Sequence, residues 1–298
     1  MKKLLAIIVI VLFSFNNTEA GTYKGNKYAF KDLSSLKSII KKNDPSVFKE
    51  LKFIRKSIDK EFMASSGLPN RSNNSGKRKI YRYDAYIFNA TYDSGHIIKF
   101  IVDTDYAKTL EKAKKVSLRY AKQVGQIPSF LREGSPNLLT VTREVNRGIQ
   151  KIIIAKGNNR WWADLGMSQF LIYPQATGDR NDLTLMHEAA HVTIHTKLIL
   201  DDTWIEAIIA DKKYITKYAI TSFGEDQAET ISFWVAVRCS DKSKSIKKRI
   251  IKSIPNRIKA LDKFIKDNEL KTFPMVCDKK LNNLYKSGVP TKEEFEKA

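Results

Sequence analysis

The chain has 298 residues, 42% hydrophobic and 29% charged, with a formal net charge of +21. This balance excludes disordered and collagen-like classes, and two cysteines exclude a disulfide-dense miniature scaffold. The basic excess allows contact with an anionic surface or an acidic protein, but its runs (Lys41-Lys42, Lys77-Arg78-Lys79, Lys247-Lys248-Arg249) are scattered and no nucleic-acid motif occurs, so the plainer reading is a generally Lys-rich composition.

Met1-Lys2-Lys3, the apolar run Leu4 to Phe13 and Thr18-Glu19-Ala20 read as a secretory signal peptide at 1–20, cleaved near Ala20/Gly21. The apolar run is too short to span a bilayer, no other stretch is apolar enough, and the expected location is secreted or periplasmic. Residues 21–63 read as an N-terminal helical segment. Leu33, Leu36, Ile39 and Ile40, then Val47, Phe48, Leu51, Ile54 and Ile58, recur at helical spacing on either side of Pro45. Residues 64–79, rich in Ser, Asn, Gly and Lys, read as a loop or linker.

Residues 80–298 form the expected main domain. Ile80 to Val102 reads as a β-hairpin turning at Tyr92-Asp93-Ser94-Gly95. An amphipathic helix follows over 105–124, then short strands over Leu138 to Val145, Ile149 to Ala155 and Phe170 to Tyr173. Helices are expected over Asn181 to Leu200, 203–221, 225–238 and 245–268. Strands first and helices after is an α+β order: a mixed-sheet lobe, then a helical C-terminal lobe.

The sharpest signal is His187-Glu188-Ala189-Ala190-His191, an HExxH pattern. Histidines at i and i+4 lie on one face of a helix, so both imidazoles can reach one metal ion, and the intervening glutamate can take a proton from water. Leu183, Met186, Ala190 and Ile194 recur at helical spacing, and neither Pro nor Gly interrupts the stretch. A catalytic zinc takes three protein ligands. The acidic residues downstream are Asp201, Asp202, Glu206, Asp211, Glu225, Asp226 and Glu229. A metzincin pattern would need a third His where Lys197 stands, and His195 lies two turns from His187, about 12 Å along the axis. A thermolysin-type ligand would fall near Asp211, where the usual glutamate pattern is lacking. Glu225 and Glu229 lie one turn apart on a helix otherwise striped with Ala228, Ile231 and Val235. One carboxylate on a metal and the other on a ligand explains the pair; an acidic first turn favoured by the helix dipole is the plainer account.

The block Tyr214 to Ala219, followed by Glu225-Asp226-Gln227-Ala228-Glu229, resembles the lethal-factor-like zincins, the group that includes the Pro-Pro endopeptidases. In that group the third zinc ligand opens an E-x-x-A-E helix, and a tyrosine seven residues earlier faces the reacting oxygen. The resemblance covers about Asn181 to Arg238. It implies a zincin-like fold and one Zn²⁺ on His187, His191 and Glu225, with Glu188 as general base and Tyr218 as electrophilic partner. The activity implied is a secreted zinc metalloendopeptidase acting on a peptide or protein substrate. It also implies a strand pairing with the extended substrate backbone, for which Phe170 to Tyr173 or Ile149 to Ala155 can serve. An exported non-catalytic binding protein, or a zinc amidase acting on a non-peptide substrate, are the alternatives.

Cys239 and Cys277 are an even pair in a chain expected to be exported and are expected to form a disulfide. Trp161-Trp162 is expected to pack rather than to contact substrate. Trp204 is expected to pack against the core and His96 to be structural or exposed; His195 could hydrogen-bond to a metal-binding residue, but an exposed or core role is the plainer expectation.

Overall fold

The computed structural model describes residues 27–57, 62–65, 80–138, 148–157, 162–164, 168–174, 181–199 and 201–277. The expected signal peptide, most of the 64–79 segment, Trp161 and nearly all of the strand expected over Leu138 to Val145 lie outside the described residues.

The strands are β1 (Tyr28–Phe30), β2 (Phe48–Lys56), β3 (Phe62–Ser65), β4 (Ile80–Tyr83), β5 (Ala85–Tyr92), β6 (Ile97–Asp103), β7 (Lys151–Ile154), β8 (Trp162–Asp164), β9 (Gln169–Ile172) and β10 (Tyr214–Thr216). The helices are α1 (Leu110–Gln126), α2 (Ser129–Glu133), α3 (Asn181–Thr193), α4 (His195–Ile199), α5 (Asp202–Asp211), α6 (Phe223–Arg238), α7 (Lys244–Ser253) and α8 (Pro255–Asp267). Strands dominate the first half and helices the second, so the architecture is mixed α and β in an α+β order.

The central sheet has six strands in the order β2-β5-β6-β7-β9-β8. Pairings are antiparallel across β2, β5 and β6, parallel across β6, β7 and β9, and antiparallel again at β8. The hairpin between β5 and β6 closes where expected, with Gly95 at φ +82, a conformation that only glycine adopts without strain. Ile152, Ile153 and Ile154 of β7 are all buried, as befits a parallel strand covered on both faces. Helix α1 starts where the Thr109 side chain accepts from Lys112 N at 3.2 Å, and it lays Ala113, Val116, Tyr120, Ala121 and Val124 on the sheet.

Three helical expectations give way. The stretch expected as a helix after Pro45 is strand β2. Irregularities in its pairing with β5, between Phe48 and Glu50 and between Phe53 and Arg55, shift the two-residue alternation, so that half-buried Phe48 and Leu51 fall three apart and imitate a helical period. Before it, only Leu33–Leu36 is helical, as one 3-10 turn. Ile39 and Ile40 give their backbone N–H groups to Asp182 instead, at 2.7 and 3.0 Å. The helix expected over 203–221 stops at Asp211, which accepts from the backbone N–H groups of Asn256 and Arg257. The chain then forms β10, which pairs in parallel with β1, and a 3-10 turn at Tyr218–Thr221. The helix expected over 245–268 is two, because Pro255 opens α8.

One core joins these parts: Phe30, Leu36, Ile39 and Val47 belong to the same buried cluster as Phe100, Met186 and Trp234. Cys239, just past the end of α6, is bonded to Cys277. Among the described residues no helix is long and apolar enough to cross a membrane.

Candidate metal centre

Helix α3 is sunk into the core. Leu183, Leu185, Met186, Ala189, Ala190 and Val192 are all buried, so the polar residues among them sit in a largely apolar surround. His187 is 6% and Glu188 5% exposed, and His191 is half-buried. Buried polar groups of this kind need partners. Those of the two histidines come from α6, which packs across α3.

Ser222 caps α6 and accepts from Glu225 N at 3.2 Å. Ser222-Phe223-Gly224-Glu225 is the pattern of a capping box, in which the glutamate would turn back to the cap. Here the Glu225 carboxylate turns to α3. Its Oε2 lies 3.1 Å from His187 Nε2 and 3.3 Å from His191 Nε2, and the two Nε2 atoms are 3.2 Å apart. Ligand distances of about 2.0–2.1 Å at tetrahedral angles place ligand atoms about 3.3 Å from one another. The three edges match that spacing, and two neutral imidazoles with one carboxylate form a donor set suited to a divalent ion with a coordination position to spare. Among the described residues these three are the one group of His, Cys, Asp or Glu side chains so disposed.

The other face of His187 meets Glu229, whose Oε1 is 3.1 Å from His187 Nδ1. The approach is close in distance and imperfect in angle, an electrostatic contact first. Thr216 Oγ1, on β10, donates to the other oxygen of Glu229 at 2.8 Å. Burial of the His187 ring lowers its pKa, but Glu225 and Glu229 on its two nitrogens outweigh that and push it up to about 10. Burial likewise works against the Glu225 carboxylate, and the two histidines overcome it, holding Glu225 well below the usual carboxylate range. The tyrosine expected at the site is near: the rings of Tyr218 and His187 are 5.9 Å apart, tilted by 34°.

The remaining acidic candidates are committed elsewhere. Asp201 caps α5, and Asp202 and Glu206 are exposed. Asp211 and Asp226 flank the wholly buried guanidinium of Arg257, with Asp211 Oδ2 3.0 Å from Nε and Asp226 on Nη1. This Asp–Arg–Asp bridge ties α5, α6 and α8 together and fixes the first turn of α6, beside Glu225. Sequence reasoning missed it, since Arg257 lies in another helix and nothing local marks it. It also missed Thr216, and Asp182, which anchors the segment before β2 to the first turn of α3.

His195 is in the site's vicinity rather than exposed. Its ring lies 5.6 Å from that of His191, and burial pushes its pKa down to about 4. It rests on Gly224, in the first turn of α6. His96 places Nε2 2.9 Å from the Ile149 carbonyl, and Trp204 is buried. Neither strand expected to receive an extended partner has a free edge: β7 lies between β6 and β9, and β9 between β7 and β8. Among the described residues the strand at that end of the sheet is β8, antiparallel to β9 and packed near α3. Comparison of the chain with protein-family models, with curated proteins and with solved structures finds no match.

Proposed function

We propose that this chain is an exported zinc-dependent endopeptidase of the zincin type, akin to the lethal-factor-like group. The observation that carries the reading is the near-equilateral cluster of His187 Nε2, His191 Nε2 and Glu225 Oε2, with Glu188 buried one residue from the first of them. Two histidines and one glutamate would hold the ion, which when bound supplies Lewis acidity that acidifies water and polarises a carbonyl.

The chain's own residues do the rest. Glu188 takes the proton of the attacking water and passes it to the leaving amine. Its burial keeps bulk water from competing for that proton. The Tyr218 phenol donates to the oxyanion that forms as the carbonyl becomes tetrahedral, a contact whose loss typically costs about 2.7–4 kcal/mol in the transition state. Glu229 orients His187. An extended peptide adds to β8, where backbone hydrogen bonds hold it and side-chain positions select it. Exposed Lys49, Lys52, Arg55 and Lys56 on β2, with Lys112, Lys114, Lys115, Arg119 and Lys122 on α1, favour an acidic substrate or surface.

The test is metal analysis of the purified protein beside digestion of a mixed peptide library. The expected result is one zinc per chain and discrete cleavage products, formed far more slowly by Glu188→Gln. Zinc uptake without cleavage of any peptide would overturn the peptidase reading, and absence of metal uptake would overturn the metal centre itself.

A further inference from the structure

We propose that Thr216 is a positioning residue for the metal centre, one hydroxyl that sets both the orientation of His187 and the placement of the turn carrying Tyr218. The inference rests on the zinc-site reading above and extends it to a residue outside the ligand set.

Thr216 is fully buried at the end of β10. A threonine hydroxyl has one proton to give and lone pairs to receive with. Here Ala219 N–H donates to Oγ1 at 3.1 Å, in the 3-10 turn that Tyr218 opens. The hydroxyl proton is thereby free to go to Glu229 Oε2, 2.8 Å away. With Oε2 occupied by a donor, Oε1 is presented to His187 Nδ1 at 3.1 Å. A carboxylate at Nδ1 favours the tautomer with its proton there, which leaves the Nε2 lone pair pointing at His191 and Glu225. The relay therefore runs Ala219 N–H, Thr216 hydroxyl, Glu229 carboxylate, His187 ring.

The relay is rigid because its root is. Thr216 is the register partner of Phe30 in the β1–β10 pair, and the flanking backbone is pinned by Tyr214 N on the Lys27 carbonyl at 3.0 Å and Lys217 N on the Lys31 carbonyl at 3.4 Å. A hydroxyl so held cannot swing to another acceptor. Glu229, 3% exposed, is buried too deeply for bulk solvent to take the place of a lost donor. Valine keeps the branched shape of threonine and removes only this function, leaving Ala219 N–H and Glu229 Oε2 without a partner.

The experiment is a double-mutant cycle on metal affinity, read by chelator competition with Zn²⁺ and by the visible spectrum of the Co²⁺ form. Thr216→Val is expected to weaken Zn²⁺ binding roughly 10–100-fold, the usual range for groups that orient a ligand histidine, and to alter the Co²⁺ bands. Thr216→Ser is expected to restore both. In a Glu229→Gln background the same valine substitution is expected to add little, because the relay is already cut. Equal losses in both backgrounds would reduce Thr216 to a structural residue, and unchanged affinity with an unchanged Co²⁺ spectrum would remove it from the site. If Thr216→Val does not fold, Thr216→Ala is read in the same way. Failure of the unsubstituted protein to take up Zn²⁺ or Co²⁺ would instead strike the zinc reading, and this inference with it.

Discussion

Gly224 and His195 meet so closely that no side chain fits between them: a Cβ on Gly224 would lie 2.3 Å from His195 Cε1. Gly224 is one residue from Glu225, and the His195 ring is next to that of His191. The contact thus sets how near the first turn of α6 approaches the end of α3. Gly224→Ala forces one of them aside, at a cost of about 1–3 kcal/mol for overpacking. The expected outcome is a lower melting temperature together with weaker metal binding by chelator competition. Adding His195→Ala should recover much of both, because it vacates the space the new methyl needs.

The proposed ligand and the proposed base should separate cleanly on substitution. Glu225→Ala removes one vertex of the donor triangle and should yield protein without stoichiometric zinc by elemental analysis. Glu188→Gln keeps the triangle and should retain one zinc per chain, with turnover reduced by about 10²–10⁴-fold, the range of a lost general base. Tyr218→Phe should also retain zinc and lower turnover.

The metal-free site answers to pH in a definite direction. His187 is raised from 6.5 to about 10, so its contribution to stability is complete below about pH 6.5 and lost as pH rises through about 10. Glu225 is lowered from 4.5, so its contribution is complete above about pH 4.5 and lost in acid. Melting of the protein in chelator should therefore show the largest contribution from this pair between about pH 4.5 and 6.5. At pH 8 an incoming ion must displace the proton on His187. Calorimetric titration in two buffers of different ionisation enthalpy should report a proton released from the ring, and apparent affinity should climb with pH up to about 10.

The Cys239–Cys277 bond closes a loop with a sequence separation of 38 residues. By loop-closure entropy its removal should cost about 3–4 kcal/mol. Cys239→Ser with Cys277→Ser should lower the denaturant midpoint while the folded fraction still takes up metal, since the bridge joins the far end of α6 from Glu225.

What was legible in the chain follows from how local each signal is. HExxH is one helix face, and its spacing suffices to bring His187 and His191 together. The β5–β6 hairpin is written in adjacent residues, with Gly95 marking the turn. Glu225 and Glu229 stood out as carboxylates on an apolar helix, although Ser222 makes Glu225 look equally like half of a capping box; only packing against α3 distinguishes the two. The irregular pairing of β2 breaks its strand period, so its sequence imitates a helix. β10 is only three residues long, too short to show a strand period, and its partner β1 lies far away in sequence. Asp211, Asp226 and Arg257 are three separate charges until three helices meet.

The β1–β10 pair also imposes an order in time. Tyr28 is among the first of the described residues to be made, yet Tyr214, which it pairs with, emerges only after the central sheet and α3. Until then β1 has no partner, β10 does not exist, and Thr216, Tyr218 and Glu225 are absent. The nascent chain carries its HExxH helix for a long interval without the third vertex of the cluster. Such long-range closure slows folding. It also means that a fragment ending before α6 carries His187 and His191 without Glu225, so the three-residue cluster closes only once most of the described chain has been made.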